Sequence, residues 1–334
     1  MTPHHILVSY DPTEEEKRAF QEILGDLGQV VFLNDVSPVD RVAALKKTEA
    51  VVSRSFDRTE ITADEIRHMT RLGFVQLIFA GVDNVPFDLF SQEVEFASNA
   101  GVFAEPLAEH VLAMTLALAK KLVPKHSALA RGRFDQSTVN KTLRGGLCGI
   151  IGLGGNGRAV AEVMRAVGMR VYGINRRGLT DAVVNFIGTG KDLPMLLEAS
   201  DVVVLAMPLT RQTRHLIGRR ELAQMKPDAI LINVARGAVI DQQALYRHLR
   251  ANPEFQVGID TWWVEPATHG TFRLDFPFFE LPNLLGSPHN ADDVPQINLL
   301  ATYQALENVR RFLSGGEIRG RVNRRDYAVD DRDS

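Results

Sequence analysis

The chain has 334 residues, too many for one ordinary core, so its length predicts two domains. Hydrophobic residues make up 45% and charged residues 24%, a soluble globular composition, and 38 Lys and Arg against 41 Asp and Glu leave a net charge of −3. That balance argues against a nucleic-acid or membrane-surface partner, and the single cysteine, Cys148, rules out an internal disulfide and fits a reducing cytoplasm.

The opening "MTPHHILVSYD" has no cationic cluster followed by a long apolar run, so no signal peptide is expected. "HHILVSYD" reads as a strand. "PTEEEKRAFQEILGDLG" follows with helical spacing through Phe20, Ile23, Leu24 and Leu27. "QVVFLND", "EAVVSRS" and "FVQLIFAGVDNV" are further strand candidates. The run "LAEHVLAMTLALAKKLV" is the most apolar of the chain, but Glu109, His110, Lys120 and Lys121 interrupt it. It falls short of the roughly 20 apolar residues a spanning helix needs and predicts a buried helix at about 104–123. Residues 124–146 are polar and rich in turn formers, and predict a loop or an arm.

A second βαβ series then begins. Its strand candidates are "LCGIIGLG", "RVYGIN", "DVVVLAM", "AILINVA", "VGIDTW" and "NLLGSP", with helices such as "RAVAEVMRAVG" and "DQQALYRHLRA" between them. Continuous Val/Ile/Leu runs alternating with helices predict parallel sheets covered on both faces. A last amphipathic helix spans 298–313, and the polar tail after it is expected to be partly loose.

Between "LCGII" and the helix "RAVAEVMRAVG" lies "GLGGNG", Gly152 to Gly157, a G-x-G-x-x-G pattern in a complete βαβ unit. Gly152 allows the tight turn, Gly154 lets the backbone approach a pyrophosphate, and Gly157 lets helix and strand pack closely. Gly155 and Asn156 complete the loop at a helix N-terminus whose N–H groups suit an anion. A Rossmann-type dinucleotide site is therefore expected. At the end of the next strand, 18 residues after Gly157, stands Asn175 followed by Arg176 and Arg177. A carboxylate at Asn175 would bond the ribose 2′-hydroxyl of NAD and repel a 2′-phosphate. Here that repulsion is absent, and two guanidinium forks stand ready for a phosphate. NADP is expected to be preferred, with NAD as the alternative cofactor. Asn175 remains able to bond a ribose hydroxyl. Cys148 on the preceding strand is expected in the core.

Several segments resemble one family, the D-isomer-specific 2-hydroxy acid dehydrogenases: "LRGGLCGIIGLGGNG", "SDVVVLAMPLTRQTRHLIGRRELAQMKPDAILINVARGAVIDQQAL", "GIDTWWVEP", "LPNLLGSPHNA" and "FLSGGEIRGRVNRRDY". "FAGVDNV" and "AEPLAEHVLAMTLALAKK" also match, so the likeness covers most of 75–327. One subgroup it resembles is the glyoxylate/hydroxypyruvate reductases. The resemblance implies a catalytic trio at Arg236, Glu265 and His289, each at or just past a predicted strand end. It implies cofactor contacts at Pro208, Thr213 and Asp260, the last to the nicotinamide amide. It also implies substrate carboxylate contacts at Arg54 and at the Gly81–Val82 backbone, beside Arg236.

These residue types suit the chemistry of a 2-oxo acid. A guanidinium holds a carboxylate and polarises the adjacent ketone. An imidazolium gives the new alkoxide its proton, and a carboxylate beside the ring favours that charged form. Trp262 and Trp263 stand where the family is usually less bulky, and 268–283 is unusually aromatic. Core packing is the expectation there, with lining of the substrate pocket as the alternative. The histidines show no metal-ligand spacing, so no metal is expected.

The resemblance further implies an α/β architecture of two domains: a flavodoxin-like discontinuous substrate domain at 1–99 and 292–334, and a Rossmann doubly wound parallel sheet for the cofactor at 100–291. It implies a homodimer in which the segment after the first linker helix extends across the two-fold, and the single cysteine makes the cytoplasm the expected compartment. The partner is a small 2-oxo or 2-hydroxy acid, with no nucleic acid and no membrane. Two alternatives stay open. One is phosphite- or formate-type oxidation on the same scaffold, although formate dehydrogenases carry glutamine where Glu265 stands. The other is a dinucleotide-sensing binding protein like the corepressors that share the fold.

Overall fold

A computed structural model describes residues 3–56 and 60–327, and in it the chain forms two units, residues 1–103 with 294–334, and residues 104–293. The first unit begins with β1 (His4–Val8), α1 (Glu14–Leu24), β2 (Gly28–Phe32) and α2 (Pro38–Lys47). It continues with β3 (Ala50–Ser53), α3 (Ala63–His68), β4 (Phe74–Leu77) and β5 (Glu95–Ser98). Among the described residues these strands make a five-stranded parallel sheet in the order β2-β1-β3-β4-β5, the flavodoxin-like order.

Local chemistry sets these elements. Thr13 and Glu16 form a capping box at the start of α1, and Ser37 caps α2 ahead of Pro38. Strand side chains alternate between two cores. Ile6, Val8, Ala50 and Val52 join one with Phe20, Leu24, Ala301 and Val309. Leu7, Val51, Val75 and Leu77 join the other with Leu33, Leu45 and Phe96. Both faces are thus covered, as a parallel sheet requires.

The second unit runs α4 (Ala104–Ala119), α5 (Leu122–Ala130), β6 (Leu147–Ile151), α6 (Gly155–Ala166), β7 (Arg170–Ile174) and β8 (Phe186–Gly188). Then come α7 (Leu193–Ala199), β9 (Val202–Leu205), α8 (Arg219–Gln224), β10 (Ile230–Asn233) and α9 (Gln242–Ala251). It ends with β11 (Gln256–Ile259), the single turn α10 (Pro266–His269) and β12 (Leu284–Gly286), after which α11 (Ile297–Leu313) returns to the first unit. The described strands form a seven-stranded parallel sheet ordered β12-β11-β10-β9-β6-β7-β8. The order reverses at β6 and β9, the doubly wound switch point.

The same alternation builds two cores here. Cys148, Ile150, Val202 and Val204 face α4 and α6, while Val203, Leu205, Leu231 and Val257 face α7 to α9. Cys148 is fully buried, and burial pushes its thiol up to about 12, which removes it from thiolate chemistry.

Some local expectations differ from the structure. The expected helix at 104–123 breaks after Ala119, and residues 124–130, expected as loop, belong to α5, where Pro124 in the first turn costs no hydrogen bond. Strands β5 and β8 carry no clear signal of their own. The first is four residues with a charged Glu95, and the second is three residues at a sheet edge. No helix among the described residues is long and apolar enough to cross a membrane. The last residues of the expected loose tail, 328–334, lie outside the described residues.

Candidate active site

Every residue expected around the dinucleotide and the trio leaves the C-terminal end of a strand in the second unit's sheet. Gly152 follows β6, Asn175 follows β7 and Pro208 lies past β9. Arg236 lies past β10, Asp260 and Glu265 past β11, and His289 past β12. This edge is where a doubly wound sheet presents its ligand crevice.

The Gly turn has the space a dinucleotide needs. Gly152 has φ +97°, and a Cβ there would come within 2.5 Å of the Met207 backbone nitrogen. A Cβ on Gly157 would come within 2.2 Å of the Gly152 carbonyl oxygen, so helix and turn touch. At Gly154, by contrast, a Cβ would meet nothing within 4 Å. Gly154 is also the N-cap of α6 and has no side chain to cap the N–H groups of Gly155, Asn156 and Gly157. Asn156 Oδ1 is buried with no protein partner. Open room, uncapped donors and a buried polar atom fit a bound pyrophosphate.

Asn175 has a local task. Its Oδ1 accepts from the N–H groups of Arg177 (3.0 Å) and Gly178 (2.8 Å), and its Nδ2 donates to the Leu179 carbonyl (2.8 Å). The side chain shapes the loop that carries the exposed Arg176 and Arg177 rather than facing outward. Beside that loop Arg158 pairs with Asp181 at 2.6 Å, a contact the sequence did not single out. Pro208 and Thr213 share one turn, closed by Thr213 Oγ1 donating to the Pro208 carbonyl at 2.7 Å.

Two of the trio are in contact, and the third acts on both through its charge. His289 Nδ1 lies 2.7 Å from Glu265 Oε2. Since the carboxylate only accepts, Nδ1 carries the hydrogen, and Nε2 is the nitrogen left for a reacting group. The other oxygen, Glu265 Oε1, accepts from the Trp262 N–H at 2.5 Å. Burial works against the imidazolium, but the Glu265 hydrogen bond and charge outweigh it and hold the His289 pKa above its ordinary value. Arg236 opposes this rise and Asp260 adds to it. Burial likewise works against the Glu265 carboxylate, yet His289, the Trp262 amide and Arg236 hold its pKa low. Arg236 therefore acts on both partners. Its Nη1 donates to the Ala235 carbonyl (2.8 Å), and Asn233 Nδ2 donates to the carbonyl of Arg236 (3.0 Å).

Asp260 is 1% exposed and accepts from Ser287 Oγ (2.6 Å) and from the N–H groups of Asn290 (3.2 Å) and Ala291 (3.3 Å). Its carboxylate thus brackets His289, which holds φ +54°. His110 on α4 contacts Ser287 Oγ at 3.0 Å. Neither Ser287 nor His110 carries a sequence signal of its own. Both tryptophans are packed. Trp262 is 7% exposed against Phe272 and Phe279, and Trp263 stacks on Phe278. No group of three His, Cys, Asp or Glu among the described residues is arranged to hold a metal.

In the first unit, Arg54 follows β3 and Gly81–Val82 follow the adjacent β4. The guanidinium of Arg54 lies 3.4 Å from both oxygens of the buried Glu16 and 4.6 Å from the Tyr10 ring centre. Glu16 also closes the capping box of α1, and that S/T-x-x-E pattern was the available sequence signal for it.

The family model for the D-isomer specific 2-hydroxyacid dehydrogenase NAD binding domain matches residues 112–291. The chain is 32% identical over 262 residues to glyoxylate/hydroxypyruvate reductase B of Pectobacterium carotovorum subsp. carotovorum, covering 77% of this chain and 80% of that one. It is 29% identical over 322 residues to D-3-phosphoglycerate dehydrogenase of Methanocaldococcus jannaschii, covering 95% of this chain and 59% of that protein's length. A D-isomer specific 2-hydroxyacid dehydrogenase from Xanthobacter autotrophicus Py2, solved with NADPH and MES, is similar at a TM-score of 0.79 and 25% identity, covering 98% of this chain and 100% of that one. With the family's NAD binding domain model matching more than half of this chain, the chain belongs to the D-isomer-specific 2-hydroxyacid dehydrogenases and is an oxidoreductase of that family.

Proposed function

We propose that the chain reduces a 2-oxo acid to a D-2-hydroxy acid with NADP(H), and catalyses the reverse oxidation less favourably as the pH falls. The observation that carries this reading is the 2.7 Å contact of His289 Nδ1 with Glu265 Oε2, with Arg236 acting electrostatically on both. A bound dihydronicotinamide supplies the hydride for C2 of the oxo acid. Arg236 holds the substrate carboxylate and polarises the ketone oxygen. His289 gives the Nε2 proton to the alkoxide in reduction, and in its neutral form takes that proton in oxidation. Glu265 keeps the ring in the required tautomer and supports its charged state. Relatives named glyoxylate/hydroxypyruvate reductase support a small 2-oxo acid as substrate.

We assign the dinucleotide to the unit of residues 104–293, on Gly152, Gly154, Gly155, Asn156 and Gly157, with Pro208, Thr213 and Asp260 along the same sheet edge. The exposed Arg176 and Arg177 favour the 2′-phosphate of NADP over NAD. Asn175 contributes by shaping their loop. Within the first unit, Arg54 and the Gly81–Val82 backbone are assigned as anion contacts at adjacent strand ends, Arg54 being partly neutralised by Glu16. The chain is further proposed to be a homodimer. Leu122, Val123, Leu129, Phe134 and Val139 are each more than half exposed, apolar side chains of one chain segment that a second copy would cover.

Steady-state oxidation of NADPH and NADH against a panel of 2-oxo acids, with phosphite and formate assayed in the oxidative direction, tests the reading. Turnover of at least one 2-oxo acid is expected. Turnover of phosphite or formate alone, or of nothing while dinucleotide still binds, would overturn it.

A further inference from the structure

Trp262 joins the two segments that carry the histidine and its carboxylate. Its backbone N–H donates to Glu265 Oε1 at 2.5 Å, which leaves Oε2 to His289. Its indole N–H donates to the Ser287 carbonyl at 2.8 Å, two residues before His289. The ring lies on the bare backbone of Gly286, where a Cβ would come within 2.7 Å of its Cζ2. Phe272 and Phe279 close against it, with ring centres 5.5 and 5.4 Å away. A phenylalanine or aliphatic side chain could fill this apolar space but would offer no donor to the Ser287 carbonyl.

The segment held in this way is not relaxed by its own chemistry. His289 has φ +54°, a left-handed backbone that a non-glycine residue adopts only when its surroundings hold it there. Asp260 holds it through the side chain of Ser287 and through the backbone N–H groups of Asn290 and Ala291. Trp262 adds a further hold, through the Ser287 carbonyl.

We propose that Trp262 is a positioning residue for proton transfer, tying the Ser287–His289 segment and Glu265 to one immobile ring so that the imidazole and the carboxylate keep their contact. The proposal rests on the reading of His289 as the proton donor. The charged groups that face His289 are Glu265, Arg236, Asp260 and Asp292, with His110 reaching Asp260 from α4. None of them is altered by substitution at Trp262, so a downward shift of the His289 titration would report a loosened contact with Glu265, whereas greater exposure of the ring would shift it upward.

Trp262→Phe keeps a ring and removes the donor. Trp263→Phe is the matched control, since Trp263 is also packed on phenylalanine and donates its indole N–H, but to the Ile240 carbonyl at 2.8 Å. For Trp262→Phe we expect kcat to fall by about tenfold with KM for the oxo acid nearly unchanged, as a misplaced catalytic group predicts. The alkaline limb of the kcat profile should move down by about half a pH unit as the carboxylate's influence weakens. The His289 ring, titrated by NMR in the substrate-free protein, should shift in the same direction, while Trp263→Phe leaves both midpoints in place. If Trp262→Phe does not fold, 3-benzothienylalanine in place of Trp262 keeps the shape and removes only the N–H, and the same shifts are expected. Unmoved midpoints in the folded variant, or equal shifts in Trp263→Phe, would overturn the proposal. The NMR titration needs no turnover. A wild-type protein inactive on every 2-oxo acid would therefore refute the catalytic reading while the Trp262 tie remained separately measurable.

Discussion

His289 holds a left-handed backbone at φ +54°, a conformation that costs a side-chain-bearing residue about 1–2 kcal/mol. Asp260 and Trp262 offset that cost from either side. The charge of Glu265 then sets the pH behaviour. A His289 pKa above the ordinary 6.5 means that reduction is fully supported at lower pH and lost as pH rises through the elevated value. In Glu265→Gln the raising charge is gone and burial remains, so the fall in kcat/KM should move to lower pH; an unmoved profile would refute the pairing. Stability follows the same signs. The imidazolium contribution is complete below 6.5 and lost as pH rises through the folded value. The carboxylate contribution is complete above 4.5 and lost as pH falls through its depressed value. The Tm difference between wild type and Glu265→Gln should therefore be largest between pH 4.5 and 6.5, as a pH series of thermal melts would reveal. At the other end of the cofactor, Arg176→Ala should raise KM for NADPH by about tenfold and leave NADH nearly unchanged, since a phosphate loses one charged fork. Equal losses for both cofactors would remove the 2′-phosphate assignment.

The turn from β6 into α6 shows how an element is specified by glycines with different tasks. Gly157 is required by packing, because a Cβ would press within 2.2 Å of the Gly152 carbonyl oxygen, whereas a Cβ on Gly154 would project into open space. Gly157→Ala should destabilise the unit by about 1–3 kcal/mol, the range for overpacking, and weaken dinucleotide binding as well. Gly154→Ala should leave stability within about 0.5 kcal/mol and still weaken binding, because the methyl occupies room left for phosphate. Thermal melts with calorimetric titration of NADPH separate the two. A Gly154→Ala protein that binds normally would contradict the pyrophosphate site. Most elements were readable because their signals are local. Runs such as "DVVVLAM" alternate between two cores, and caps such as Thr13 with Glu16 announce α1. Strands β5 and β8 were not, since their residues become strands through partners rather than through propensity.

At the scale of the molecule, two parallel sheets each bury both faces, which uses the apolar content of a chain of this length. The exposed apolar side chains between Leu122 and Val139 remain outside those cores. Sedimentation equilibrium should give twice the chain mass, and Phe134→Asp should shift the population toward monomer; a monomeric wild-type protein would dismiss the dimer.

Most of the strands and helices and the Gly turn were legible in the linear chain, because each depends on residues a few positions apart, and the candidate trio was named by the segments that resemble the family. The contacts within the site were not. Glu265 and His289 are 24 residues apart and meet because β11 and β12 pair side by side, Val257 opposite Leu284. Arg54 and Glu16, 38 residues apart, meet through the packing of α1 on the first sheet. The inward turn of the Asn175 amide and the double use of Trp262 likewise depend on which backbone groups lie nearby. Periodicity tells which face of a strand is buried, but it carries no information on the register between strands, and long-range packing alone sets that register.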